Sequence, residues 1–278
     1  MTQSTEQITG FPRAFLFIGR PGTGKTWFLR TVVQAALDDG WDLTKGNPVY
    51  VFACDPGESG GQLTNAGIKG IDFDAYHEPG YTMRKKPYRQ WSATKAKVNE
   101  FYDIIDSGKP FPYYAVAMDS VTGLQEIAMS EVLSDQRGPG GAYAGGITGS
   151  GAKLSVAPTR DEWGKEIMLF LATLSGIIDL PCYTLFMAHQ KERTDPSGEK
   201  ILEFIPAIYG RSAPEMSGSK FDEIMTFTVE GSGLQRRFVA CTRPDLMHMR
   251  RSRSNLFPAT VAQDFALWRK MWKDKQTG

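Results

Sequence analysis

Residues 15–30 read FLFIGRPGTGKTWFLR, and the reading of this stretch decides the fold. An apolar run, Phe15 to Ile18, stops at Gly19-Arg20-Pro21-Gly22-Thr23-Gly24-Lys25-Thr26, and a helix-forming stretch from Trp27 to Leu37 follows. This is the complete G-x-x-x-x-G-K-[ST] pattern in the context it requires: strand, glycine loop, helix. Backbone N–H groups must converge on phosphate oxygens there, and Gly22 and Gly24 permit the tight turn and the close approach. The N-terminus of the following helix adds positive potential for an anion. The Lys25 ammonium is expected to bridge the β- and γ-phosphates of a nucleoside triphosphate, and the Thr26 hydroxyl to ligate Mg²⁺. Gly19 through Trp27 form the expected nucleotide cradle.

Downstream, the second half of such a site is expected at Tyr113–Ser120, an apolar strand ending in Asp119, which would hold the Mg²⁺ shell beside Thr26. A further strand, Val49–Ala53, carries no polar residue, as befits a parallel strand covered on both faces. It runs into Cys54-Asp55-Pro56-Gly57-Glu58. An acidic pair at the carboxyl end of a parallel strand lies where open α/β sheets bind ligands, so either carboxylate could activate a water; a solvated turn capped by Asp55 is the plainer alternative. The strand Pro181–Ala188 ends in His189-Gln190, polar groups placed to sense a γ-phosphate.

The remaining elements alternate strand and helix. Helices are expected at 92–107, Val121–Ser134, Asp161–Ile178 and Val261–Trp272, a short strand at Gly70–Tyr76, and an antiparallel pair at Phe221–Glu230 and Gln235–Arg243. Residues 135–158, rich in Gly, Ser and Ala, and 194–220 read as loops. Tyr81–Trp91 interleaves basic and aromatic residues, which suits stacking on bases; aromatics tucked onto the core are the alternative. The fold class is α/β, a mostly parallel sheet flanked by helices, with a loose arm over 1–12, a main domain over 13–260 and a closing segment over 261–278.

Composition bounds the function classes. The 278 residues are 41% hydrophobic and 23% charged with net charge +1, ordinary values for a soluble globular protein and no global basic signature. Nucleic-acid contact would have to come from local patches, such as Arg236 to Arg253. Cys54, Cys182 and Cys241 are scattered and read as buried thiols of a reducing compartment. With no signal peptide and no apolar run long enough to span a bilayer, the expected location is the cytoplasm.

The order of phosphate loop, Asp119 strand and His189-Gln190 strand resembles the RecA-like core of P-loop ATPases. It is most similar to the short RecA-core ATPases of bacteriophage recombination systems, some of which anneal single strands. Asp161-Glu162-Trp163-Gly164 opening a helix before the last core strand also fits that group. The resemblance covers roughly residues 13–260. It implies ATP as substrate, Mg²⁺, and a homo-oligomeric ring or filament with ATP at subunit interfaces. It further implies single-stranded DNA as ligand, gripped by 135–158 and 191–217, possible help from a cognate single-strand-binding protein, and the cytoplasm of a phage host as location. Arg251-Ser252-Arg253 stands where the group has a Lys-x-Arg pair that reaches a neighbour's γ-phosphate, with simple surface solubility as the alternative. The catalytic glutamate normally sits two residues after an Asp. Here Glu58 is shifted by one, with Asp55 in reserve. The catalytic set is thus Lys25, Glu58, Asp119, His189, Gln190, Arg251 and Arg253. A P-loop motor acting on a protein partner and a metabolite kinase are the competing readings.

Overall fold

The computed structural model describes residues 12–55, 67–76, 90–137, 158–210 and 212–277. Glu58, the basic and aromatic residues 81–89, and most of 135–158 lie outside them, as does the arm over 1–11. Strand β1 (Ala14–Gly19) leads into helix α1 (Lys25–Asp38), followed by β2 (Val49–Ala53) and β3 (Ile71–Ala75). Next come α2 (Gln90–Asp106), β4 (Ala115–Asp119), α3 (Val121–Arg137) and α4 (Arg160–Ile178). The chain continues with β5 (Tyr183–Thr194), β6 (Ile201–Pro206), α5 (Ala213–Gly218) and β7 (Glu223–Glu230). It closes with β8 (Arg237–Cys241), β9 (Arg251–Ser252), β10 (Thr260–Ala262) and α6 (Phe265–Thr277).

Six strands, ordered β7-β1-β5-β4-β2-β3, run parallel. Beyond β7 the sheet continues antiparallel through β8 and β10. Side chains alternate between the two faces of a strand. In β1, Ala14, Leu16 and Ile18 join the core under α2, α3 and α4, whereas Phe15 and Phe17 join the opposite core under α1 and α6. A sheet covered on both sides needs strands apolar on both faces, and β1, β2 and β4 are buried at every position.

The closing helix belongs to the second core. Phe265, Trp268 and Trp272 recur at helical spacing and are fully buried. Trp268 packs against Phe15, Phe28 and Phe257. The Phe265 N–H donates to Thr31 Oγ1 of α1 at 3.0 Å, and Arg269 and Lys273 both reach Asp39 just past the end of α1. At the start of α4, Thr159 and Glu162 form a reciprocal capping box.

Two expectations need correction. Residues 194–220 are not simply loop: β6 pairs antiparallel with the outer half of β5, which itself runs on through His189 to Thr194, and α5 follows. The helix expected from Val261 begins at Phe265, because Thr260–Ala262 pairs with β8 as an edge strand. Arg251-Ser252 forms a short strand on the start of β7. Among the described residues no helix is long and apolar enough to cross a membrane. All three cysteines are free, Cys54 and Cys182 buried and Cys241 half-buried.

Candidate active site

The phosphate loop leaves β1 at the carboxyl end of the sheet. Gly22 and Gly24 take φ of 78° and 88°, the left-handed region that glycine adopts without strain. A Cβ on Gly24 would stand 2.9 Å from both Gln263 Oε1 and a carbon of the Phe238 ring, so the cradle tolerates no side chain there. Helix α1 starts at Lys25 with no side-chain cap and no acidic residue in its first turn. Its leading N–H groups and positive dipole end therefore face the loop, the arrangement that receives phosphate. Lys25 is buried, with Nζ donating to the carbonyls of Gly19 at 2.8 Å and Arg20 at 3.1 Å.

Strand β5 separates β1 from β4, yet Thr26 Oγ1 donates to Asp119 Oδ2 at 2.6 Å. One loop residue and one strand end thus meet across the width of a strand. Burial, together with the charge of nearby Asp55, pushes Asp119 up to about 6 against the opposing pull of the Thr26 hydrogen bond and Lys25. A buried carboxylate beside a hydroxyl is a hard oxygen donor pair. Among the described residues no cluster of three or more His, Cys, Asp or Glu gathers. Mg²⁺ is held by one or two carboxylates plus the substrate's own phosphates, and the Thr26–Asp119 pair fits that need.

Next to this pair lies Asp55. Its Oδ1 accepts from Ser120 Oγ at 2.5 Å and its Oδ2 meets His189 Nε2 at 3.0 Å. Ser120 Oγ in turn accepts the Gly123 N–H at 3.2 Å, which ties the carboxylate to the first turn of α3. A Cβ on Gly123 would come within 2.7 Å of Asp55 Oδ1, so the helix can approach this closely only through glycine. Burial raises the Asp55 carboxyl, but the hydrogen bonds from His189 and Ser120 outweigh it and hold the group below its usual range. The Asp55 bond raises His189 in turn, against burial. The two side chains are joined at the edge of the cleft.

The structure therefore brings together Gly19 to Trp27, Asp119 and His189, the last directly across from Gly19 in the β1–β5 register. A cleft of about 290 Å³ lies between the phosphate loop, Trp27, Asp55, Asp119, His189 and Phe238. Gln190 stands one position further along β5, half-buried and paired with Pro206. Arg251 and Arg253 are not brought in. Both donate to the Ser219 carbonyl, and Arg253 pairs with Asp222, which caps the Arg13 and Ala14 N–H groups at the start of β1. Arg253 is level with the start of β1, five steps of about 3.3 Å or roughly 16 Å from the cradle end, and Arg251, opposite Ile224, is level with Leu16, three steps or roughly 10 Å short of Gly19.

Sequence reasoning missed two residues. Phe238 of β8 lines the cleft, half-exposed. Gln263, just after β10, donates to the carbonyls of Thr23 at 3.1 Å and Val239 at 2.9 Å and so braces the loop from the far end of the chain. Nothing local marks either position; both depend on how β8 and β10 are stacked beside β7.

Residues 12–254 match a family described as AAA domain. Among curated proteins nothing matches. A solved structure of a KaiC-like protein from the hyperthermophilic archaeon Pyrococcus horikoshii OT3 is similar at 10% identity, over 86% of this chain and 81% of that one, with a TM-score of 0.39.

Proposed function

The chain belongs to the AAA domain family and is an ATPase, and from that premise we propose that it uses ATP to bind and release single-stranded DNA in phage recombination or replication. ATP would sit at the interfaces of a homo-oligomer. The observation that carries this reading is the continuity of β5. It passes from His189 in the cleft directly into the hairpin it forms with β6, so a change at the γ-phosphate has a rigid path to an exposed surface.

In this scheme Lys25 and the leading N–H groups of α1 hold the β- and γ-phosphates, and Trp27 and Phe238 flank the cleft. Thr26 and Asp119 would hold Mg²⁺, which when bound neutralises phosphate charge. Both Asp55 oxygens already have partners, so Asp55 aligns His189 while Glu58 orients the attacking water. The water oxygen bonds the γ-phosphorus, the bridging bond to the β-phosphate breaks, and the water's proton passes to the carboxylate. His189 and Gln190 report the loss of the γ-phosphate to the hairpin. Arg251 and Arg253, which do not line this chain's cleft, would reach a neighbouring subunit's cradle.

The test is steady-state phosphate release and oligothymidylate binding, each with and without the other ligand. Binding should strengthen with a non-hydrolysable ATP analogue and weaken steeply with salt. No more turnover or binding with both ligands than with either alone refutes the reading. A second reading, a motor acting on a protein, draws support from the net charge of +1 and from Leu234 and Leu246, which are almost wholly exposed. A stoichiometric protein complex with DNA binding absent would favour it.

A further inference from the structure

The surface reached by β5 carries an aromatic pair with a cation above it. Tyr209, three residues past β6, remains 45% exposed although the Trp163 ring of α4 lies 6.2 Å away at 43° and Lys191 Nζ of β5 lies 5.9 Å from its centre. Lys191 is exposed, and among the described residues its ammonium meets no carboxylate. Three elements thus converge on one open ring. Acidic groups are also near: the Glu126 carboxylate lies beside the Tyr209 hydroxyl and raises it, after burial.

Beneath the ring the backbone is clamped. Gln125 of α3, itself buried, donates through Nε2 to the Tyr209 carbonyl at 2.9 Å and accepts the Tyr209 N–H on Oε1 at 2.5 Å. Two residues earlier, the Ala207 N–H donates to the His189 carbonyl at 2.7 Å. Helix α3 begins directly after Asp119, and His189 belongs to the cleft. The segment that carries the exposed ring is therefore fastened to α3, which follows β4, and to β5 at His189.

We infer that Tyr209, with Trp163 and Lys191, forms a stacking seat for one base of single-stranded DNA, held in register with the ATP site by Gln125. The inference deepens the DNA-binding reading and rests on it. A π-face beside an exposed ammonium matches a ligand that offers a flat base and a phosphate together. A wholly apolar partner would leave the ammonium without a counter-charge. Gln125 is the positioning residue: its amide fixes the peptide that carries the ring.

The experiment is oligothymidylate binding by fluorescence anisotropy, with a non-hydrolysable ATP analogue, to the full chain and its variants. Tyr209→Ala should weaken binding roughly 5- to 150-fold, the range for loss of one stacked base, with the salt slope kept. Tyr209→Phe should bind like the parent. Lys191→Ala should lower the salt slope by about 0.7, one phosphate contact. Gln125→Ala should weaken DNA binding and also reduce the gain in affinity on adding the ATP analogue, whereas Tyr209→Ala loses affinity with and without it. Thermal melting shows that each variant is folded. Affinities of Tyr209→Ala and parent within twofold overturn the seat and leave the DNA reading standing. A parent chain that binds no oligothymidylate overturns both. Unchanged DNA affinity with lost self-association reassigns the surface to a second copy of the chain and overturns the base-stacking role.

Discussion

Glu166 offers a test of the packing that holds the site together. It lies on α4, fully buried, with the Gln125 side chain of α3 as its polar neighbour. Burial, opposed by Gln125 of α3, pushes the carboxyl up to about 7 from 4.5. The folded state thus binds this proton more tightly than the unfolded chain does. Stability from the group is fully present below the unfolded value and is lost as pH rises through the folded one. At about 1.4 kcal/mol per pH unit, the loss between acid and pH 8 is roughly 3 kcal/mol. Glu166→Gln keeps the shape and removes the titration. Urea unfolding of parent and variant, at about pH 5 and about pH 8, should show the difference moving in favour of the variant by roughly 2–3 kcal/mol at the higher pH. A difference that does not change with pH, or that moves toward the parent, refutes the assignment of a buried, protonated carboxyl.

Other substitutions probe the cradle, the closing helix and the subunit interface. Gly24→Ala should cost roughly 1–2 kcal/mol from the left-handed backbone alone. The added methyl should also displace Gln263 and Phe238 and weaken ATP about tenfold or more, read by titration calorimetry. Trp268→Ala should cost about 3–5 kcal/mol in denaturant unfolding, since the ring fills the core between β1 and α1. Arg253→Ala should abolish hydrolysis while leaving nucleotide affinity close to the parent's. Mixing it with Glu58→Gln should restore part of the turnover, and no rescue at any ratio argues against a shared site.

The centre of the fold was legible because its signals are local. The phosphate loop carries its own conformational demands in Gly22 and Gly24, and β1, β2 and β4 are apolar on both faces, a pattern that a half-exposed strand would not have. Trp163, Phe170 and Leu174 at helical spacing did the same for α4. The missed elements lack such marks. The outer half of β5, Gln190 to Thr194, is polar and becomes strand only because β6 pairs with it beyond the main sheet. Thr260–Ala262 is three residues long and owes its conformation to the edge of β8. The Asp55–His189 pair spans 134 positions of sequence, so residue types pointed to each partner while only strand order could join them. Asp119 could be paired with Thr26 in advance because the motif itself names both halves. Gln263 and Phe238 reached the cleft through tertiary stacking, which no spacing along the chain records.

The central claim is that the cradle ahead of α1 holds a magnesium–triphosphate beside Asp119, and phosphate release from Mg–ATP tests it most directly. The parent should release phosphate, and Lys25→Ala should release none above background while melting at the parent's temperature. Equal rates from the two chains, or triphosphate binding untouched by the loss of Lys25, would contradict the account.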